Sequence, residues 1–122
     1  MCLFCEIPKE RIVAQNELAY AIRDGFPVTD GHSLVIPKRH AETYFQLSHD
    51  EILACNELLI SLKNEIQQLD LTVTGFNIGM NAGASAGQTV FHCHIHLIPR
   101  RDGDVDNPRG GVRHTIPGKG YY

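Results

Sequence analysis

Gln88-Thr89-Val90-Phe91-His92-Cys93-His94-Ile95-His96-Leu97-Ile98-Pro99-Arg100 sets three of the chain's seven histidines at alternate positions within five residues. Side chains alternate across a β-strand, so this spacing predicts a strand with His92, His94 and His96 on one face and Phe91, Cys93, Ile95 and Leu97 turned toward a core. Neighbouring imidazoles then sit about 6.5–7 Å apart at the backbone. Such a face suits metal ligation, because neutral imidazole binds zinc well. It equally suits nucleophilic chemistry, because a neutral ring offers one bare nitrogen while the other carries the proton. The approach, Asn81-Ala82-Gly83-Ala84-Ser85-Ala86-Gly87-Gln88-Thr89, is a small-residue loop whose backbone N–H groups can come close to an anion and which ends in amide and hydroxyl donors. Small residues followed by donors fit phosphate.

With the loop and the histidines together, the sequence resembles the histidine-triad (HIT) family of nucleotide hydrolases and transferases. The signature of that family, His-φ-His-φ-His-φ-φ with φ apolar, is met by His92-Cys93-His94-Ile95-His96-Leu97-Ile98. The resemblance takes in Leu18–His40, with its Leu34-Val35-Ile36-Pro37-Lys38 strand, and Asn81–Arg100. It implies that His94 attacks the α-phosphorus of a nucleotide, giving a nucleotidyl-histidine that water then cleaves. His96, Thr89, Gln88 and Asn81 would surround the phosphoryl oxygens, Asp24 would bind the ribose hydroxyls, and Leu3, Phe4, Ile7, Ile22 and Leu34 would line the base pocket. The third histidine is His96, where the hexose-phosphate transferase branch has glutamine, so hydrolysis is favoured over sugar-nucleotide transfer. Gln88-Thr89 resembles the dinucleoside polyphosphate hydrolase branch. The alternatives are a nucleoside phosphoramidase of the same family and a nucleotide-binding module with little turnover.

Cys2-Leu3-Phe4-Cys5 is a Cys-x-x-Cys pair, which in a reducing compartment means redox chemistry, metal or nothing. A thioredoxin-like motif needs a preceding strand, and here only Met1 comes before, so zinc reads better. Zinc takes four N/S ligands. The resemblance supplies the other two as His40 and His92, giving a structural zinc site of Cys2, Cys5, His40 and His92 and no organic cofactor. Cys55 and Cys93 read as core cysteines, and His32 and His49 as surface or structural histidines.

At 122 residues the chain predicts one domain, 1–122, of which about 101–122 is a turn-rich tail. A hydrophobic share of 43% and a net charge of −3 describe an ordinary globular protein without a nucleic-acid footprint. No long apolar span or leader pattern is present, since Met1-Cys2-Leu3-Phe4-Cys5-Glu6 turns polar at once, which predicts a cytoplasmic protein with no membrane partner. Within the tail, Arg109 and Arg113 are candidates for distal phosphates.

Strands are expected at Leu18–Arg23, after an irregular segment from Arg11, and at His32–Pro37 and Val73–Met80. A long helix is expected from Ser48, where Ser48-His49-Asp50-Glu51 has the form of a capping box, to about Asp70. Its apolar stripe reads as Ile52, Cys55, Leu59, Leu62, Ile66 and Leu69, with Leu53 and Ile60 outside it. The resemblance implies a homodimer built partly through this helix. The whole is α+β: an antiparallel sheet of about five strands with one long helix and a short one.

Overall fold

The computed structural model describes residues 2–122 and holds five strands and one long helix: β1 (Ile12–Gln15), β2 (Ala19–Arg23), β3 (Ser33–Pro37), α1 (His49–Leu69), β4 (Val73–Gly79) and β5 (Ile95–Arg101). The strands form one antiparallel sheet in the order β1-β2-β3-β5-β4. The fold is α+β as the sequence predicts, but the fifth strand, β1, occupies the segment read as irregular. It has four residues, lies at the sheet edge and carries a register shift between Ile12 and Ala14, so no apolar alternation marks it. Among the described residues, the helical structure besides α1 is made of short 3₁₀ turns.

Strand periodicity sorts the two sheet faces. Ala19, Ala21, Val35, Ile95 and Leu97 meet Ala54, Cys55, Leu58, Leu62 and Ile66 of α1 in one core. The small Ala19 and Ala21 sit beneath the helix. The alternate positions Tyr20, Ile22, Leu34 and Ile36 face the other way, where Phe4 covers them and the Tyr20 hydroxyl donates to the Phe4 carbonyl. This second face carries the site.

The helix stripe differs from the expected one at three points, the first being Ile52, which is half-buried and in neither core. Leu58, not Leu59, is fully buried, and Leu69, in the last turn, is exposed beyond the sheet. At the other end the capping box forms: the Glu51 N–H donates to Ser48 Oγ at 3.2 Å and the Ser48 N–H to Glu51 Oε1 at 2.8 Å. Arg39 donates to both Glu51 oxygens at 2.8 and 3.0 Å, which holds the buried carboxyl down at about 2. Ser48→Ala is expected to lose about 1 kcal/mol, read as a drop of about 4 °C in the melting temperature; an unchanged melt would remove the cap from the account.

The triad run is a strand only from Ile95. Before it the chain is held from outside the sheet: the Cys93 N–H donates to the Ala41 carbonyl at 2.7 Å, and the Gln88 amide to Glu42 O at 2.6 Å and Val90 O at 3.1 Å. Phe91 is consequently 45% exposed instead of facing the core, while Cys93, Ile95 and Leu97 are buried as expected. Cys55 and Cys93 are core cysteines whose thiols burial pushes up to about 12 and about 11. No helix among the described residues is long and apolar enough to cross a membrane.

Candidate active site

β5 lies beside β3 with His96 opposite Leu34, and β3 beside β2 with Leu34 opposite Ile22. Continuing the β2–β3 hairpin past Arg23 and Ser33 brings Asp24 opposite His32, and the Asp24 N–H donates to the His32 carbonyl at 2.9 Å. Period two then puts Asp24 and His32 on the face of Ile22 and Leu34. A cleft of about 440 Å³ opens there, gathering Leu3, Phe4, Ile22, Leu34, Asp24, Thr89, His94 and His96 among its walls.

Hydrogen bonds to the backbone decide which nitrogen of each ring carries the proton. His94 Nδ1 donates to the carbonyl of His92 at 2.8 Å, leaving Nε2 as a bare lone pair. At His32 the order reverses. The Val28 N–H donates to His32 Nδ1 at 3.1 Å, so the proton of His32 sits on Nε2, 2.9 Å from His96 Nδ1. His96 therefore accepts at Nδ1 and keeps its own proton on Nε2. Two rings whose centroids are 5.3 Å apart thus present opposite faces: a bare nitrogen on His94 and an N–H on His96. Asp24 Oδ2 stands 3.4 Å from His32 Nε2 and 3.9 Å from His96 Nδ1, and its Oδ1 accepts the Phe26 N–H at 2.8 Å. The edge of Phe4 packs on His94 at 5.0 Å.

Burial lowers the pKa of His32 and of His96 below the ordinary 6.5, outweighing the opposite pull of Asp24; at His96 the neighbouring His94 and His32 add to the lowering. Both rings are kept neutral, as the proton relay requires. The unfolded chain takes up protons at these groups at a higher pH than the folded protein does, so their contribution is complete above about pH 6.5 and is lost as the pH falls through the lowered values of the folded state. The melting temperature is expected to decline from about pH 7.5 to 5.5, with part of the slope removed in His32→Asn; the same slope in wild type and variant would contradict this.

His32, expected to be a surface or structural residue, is buried inside the site and links the backbone to His96. Half of the signal was local, since the turn between β2 and β3 pairs residue 24 with residue 32 and Asp24 was already a candidate; the other half is the distant pairing of β3 with β5. Thr89 is exposed at the cleft wall. Gln88 lies deeper. It is buried, and its Oε1 accepts the Gly83 N–H at 2.8 Å while its Nε2 donates to two carbonyls, so its amide closes the loop. That loop turns at Gly83 and Gly87, with φ of 96° and 92°, where a side chain would be strained. Asn81 is exposed and Ile7 packs on the outer core, and neither lines the cleft. Arg109 and Arg113 also lie off it, their guanidiniums 4.9 and 4.7 Å from the ring centre of Tyr122.

Behind the cleft, Cys2, Cys5, His40 and His92 bring their ligand atoms within 4.8 Å of one another and could hold a metal ion. The donor chemistry fits. His92 Nε2 donates to the Pro37 carbonyl at 2.7 Å, which leaves Nδ1 bare, 3.3 Å from Cys2 Sγ and 3.5 Å from Cys5 Sγ. His40 Nδ1 is 3.4 Å from Cys5 Sγ. Partial desolvation, and then its neighbour Cys2, raise the Cys5 thiol above its ordinary range, and a bound cation would favour its thiolate.

Comparison with known proteins agrees with this architecture. A HIT-like protein of 16.1 kDa from Mycoplasma pneumoniae is 42% identical over 103 residues, covering 81% of this chain and 71% of that one. The crystal structure of a zinc-bound histidine triad family protein from Mycobacterium smegmatis superposes with a TM-score of 0.76 at 33% identity, covering 84% of this chain and 77% of that one. Plasmodium falciparum diadenosine triphosphate hydrolase, solved in complex with cyclomarin A, gives a TM-score of 0.76 at 31% identity over 84% of this chain and 69% of that one. The family description that matches residues 6–103 is the HIT domain, and with its three histidines, its sheet and its relatives in agreement this chain belongs to the HIT family.

Proposed function

We propose that the chain is a nucleotide hydrolase that removes a nucleoside monophosphate from a dinucleoside polyphosphate or related nucleotide through a covalent intermediate on His94. The observation that carries this reading is the hydrogen bonding that opposes two neighbouring rings, leaving Nε2 bare on His94 through the His92 carbonyl and protonated on His96 through His32, itself set by the Val28 N–H. His94 Nε2 attacks the α-phosphorus, a P–N bond forms, and the P–O bond to the leaving group breaks. His96 donates from Nε2 to the oxygen that gains charge, and the Thr89 hydroxyl adds a second donor. The carbonyl of His92, accepting from His94 Nδ1–H, stabilises the positive charge that develops on the ring. Water then attacks phosphorus from the vacated side, the P–N bond breaks, and the nucleotide leaves with the oxygen of water. Two displacements replace one difficult step. The relation to a diadenosine triphosphate hydrolase supports the phosphoanhydride substrate.

Turnover of diadenosine tetraphosphate, an adenosine phosphoramidate and ADP, with chelator present, tests the substrate. Diadenosine tetraphosphate is expected to give AMP fastest. Cleavage of the phosphoramidate alone would move the chain to the phosphoramidase branch, and AMP binding without any turnover would make it a binding module.

Zinc is the metal we propose for Cys2, Cys5, His40 and His92, since two thiolates and two imidazoles are a donor set it favours. When bound, it would fix the N-terminus against the strand approach and hold His92, whose carbonyl orients His94. A two-fold dimer is proposed as well, because Leu53 and Ile60 of α1 and Ile78 of the edge strand β4 are 48%, 54% and 53% exposed. Sedimentation at micromolar protein is expected to give twice 13.6 kDa; a 13.6 kDa species alone would remove the dimer.

A further inference from the structure

The site face has a cation that the proposed chemistry does not use. Arg11 lies immediately before β1 and is among the residues that wall the cleft. Opposite partners run in one row across the sheet, Ile12 to Ile22 to Leu34 to His96. With strands about 4.8 Å apart, the two ends of that row are about 14 Å from each other. A mononucleotide whose phosphorus sits at His94 and His96 therefore lays its base over Leu34 and Ile22, and the outer edge of that base faces Arg11. The guanidinium is under-used. Arg11 makes no ion pair among the described residues, and its one hydrogen bond runs from Nη2 to the Arg23 carbonyl at 3.2 Å, which steadies the group at the end of β2 and leaves most of its N–H groups unspent. At the same mouth Phe26 is 91% exposed, an aromatic ring against which a base can stack.

Building on the nucleotide-hydrolase reading above, we infer that Arg11 reads the outer edge of the base and selects a 6-oxopurine over adenine. An arginine fork offers donors only, and guanine and hypoxanthine present two acceptors, O6 and N7, where adenine sets an amino group beside N7. The adenine amino group would point a donor at a donor. Stacking serves either base, so the discrimination falls on Arg11 and not on the apolar walls.

Calorimetric titration of the whole chain with AMP, GMP and IMP, repeated in Arg11→Met and Arg11→Lys, decides the matter. Wild type is expected to bind GMP and IMP about tenfold or more tighter than AMP. IMP separates the 6-oxo group from the 2-amino group of guanine. In Arg11→Met the preference is expected to vanish by a fall in GMP and IMP affinity, and in Arg11→Lys, which keeps the charge and loses the fork, most of it is expected to go. Wild type binding AMP as tightly as GMP, or either variant keeping the full preference, would overturn the role of Arg11 while leaving the hydrolase reading intact. Failure of all three nucleotides to bind wild type would overturn both.

Discussion

His94→Ala is expected to lower kcat/KM for the favoured dinucleotide by about 10⁴-fold or more, the scale on which loss of a covalent nucleophile acts. Binding is expected to survive, with AMP affinity within a few-fold of wild type, because the walls of the cleft are built from other elements. The asymmetry follows from where His94 sits. Its ring lies on the approach to β5, held by one bond to the His92 carbonyl and by the edge of Phe4, and neither core cluster includes it. Removing it takes away the bare nitrogen without opening the core. His96→Ala removes a donor and not the nucleophile, so its loss is expected to be smaller, about 10²- to 10³-fold. Equal losses in the two variants, or a His94→Ala protein that still turns over, would contradict the division of labour between the two rings.

The second large effect is expected from removal of the zinc proposed at Cys2, Cys5, His40 and His92. A ligand bound only by the folded state, at a concentration about a thousandfold above its dissociation constant, adds about 4 kcal/mol. For a domain of this size that is about 15 °C in melting temperature. Chelation is therefore expected to lower the melting temperature of wild type by about this amount and to leave Cys5→Ser unaffected, with the metal content of the purified protein following the same pattern. The segment that pays is identifiable. Cys2 caps and Cys5 ends a short 3₁₀ turn, Leu3–Cys5, whose Phe4 covers the outer core beside Tyr20, Ile22, Leu34 and Ile36. Releasing the sulfurs would free Phe4 from its seat against His94. A melt insensitive to chelator in a metal-loaded sample would show that the four ligands do not stabilise the fold.

These expectations rest on features that were legible in the sequence to different degrees. The helix was readable because its start is written locally: Ser48 and Glu51 satisfy each other's backbone across one turn, and no distant residue is needed to see it. The β2–β3 hairpin was readable for the same reason, its alternation and its turn residues lying within one short stretch. The stripe of α1 was harder, because Leu58 and Leu59 are both apolar and only the position of the sheet decides between them. β1 was missed since four edge residues with a register shift leave no pattern of their own. The start of β5 was placed too early. His-x-His-x-His reads as an unbroken strand, yet the Ala41 carbonyl and the buried Gln88 amide draw the chain off the sheet before Ile95, and contacts at that distance in sequence leave no local trace.

The site divides along the same line. Residue types at fixed spacing singled out His94 and His96 as candidates, while the tautomer of each ring depends on the group that meets it in space, the His92 carbonyl for His94 and His32 for His96. His32 shows this most clearly. It is 64 residues from His96 in sequence, and its part becomes visible only when the hairpin register is combined with the pairing of β3 and β5. The meeting of Cys2 and Cys5 with His40 and His92 was implied by resemblance to the family and not by anything in the spacing of the cysteines. Gln88 carries the opposite lesson. A polar residue in the right place for phosphate is buried, with its amide used up in shaping the loop.

The central claim, a covalent bond between His94 and the α-phosphorus, is tested most directly by quenching turnover of a dinucleotide in alkali, where a P–N bond survives, and mapping the modified peptide by mass spectrometry. The account predicts a nucleotidyl group on His94 that forms within one turnover, decays at the rate of AMP release, and is absent from His94→Ala. Full turnover with no adduct, or an adduct on His96, would contradict it.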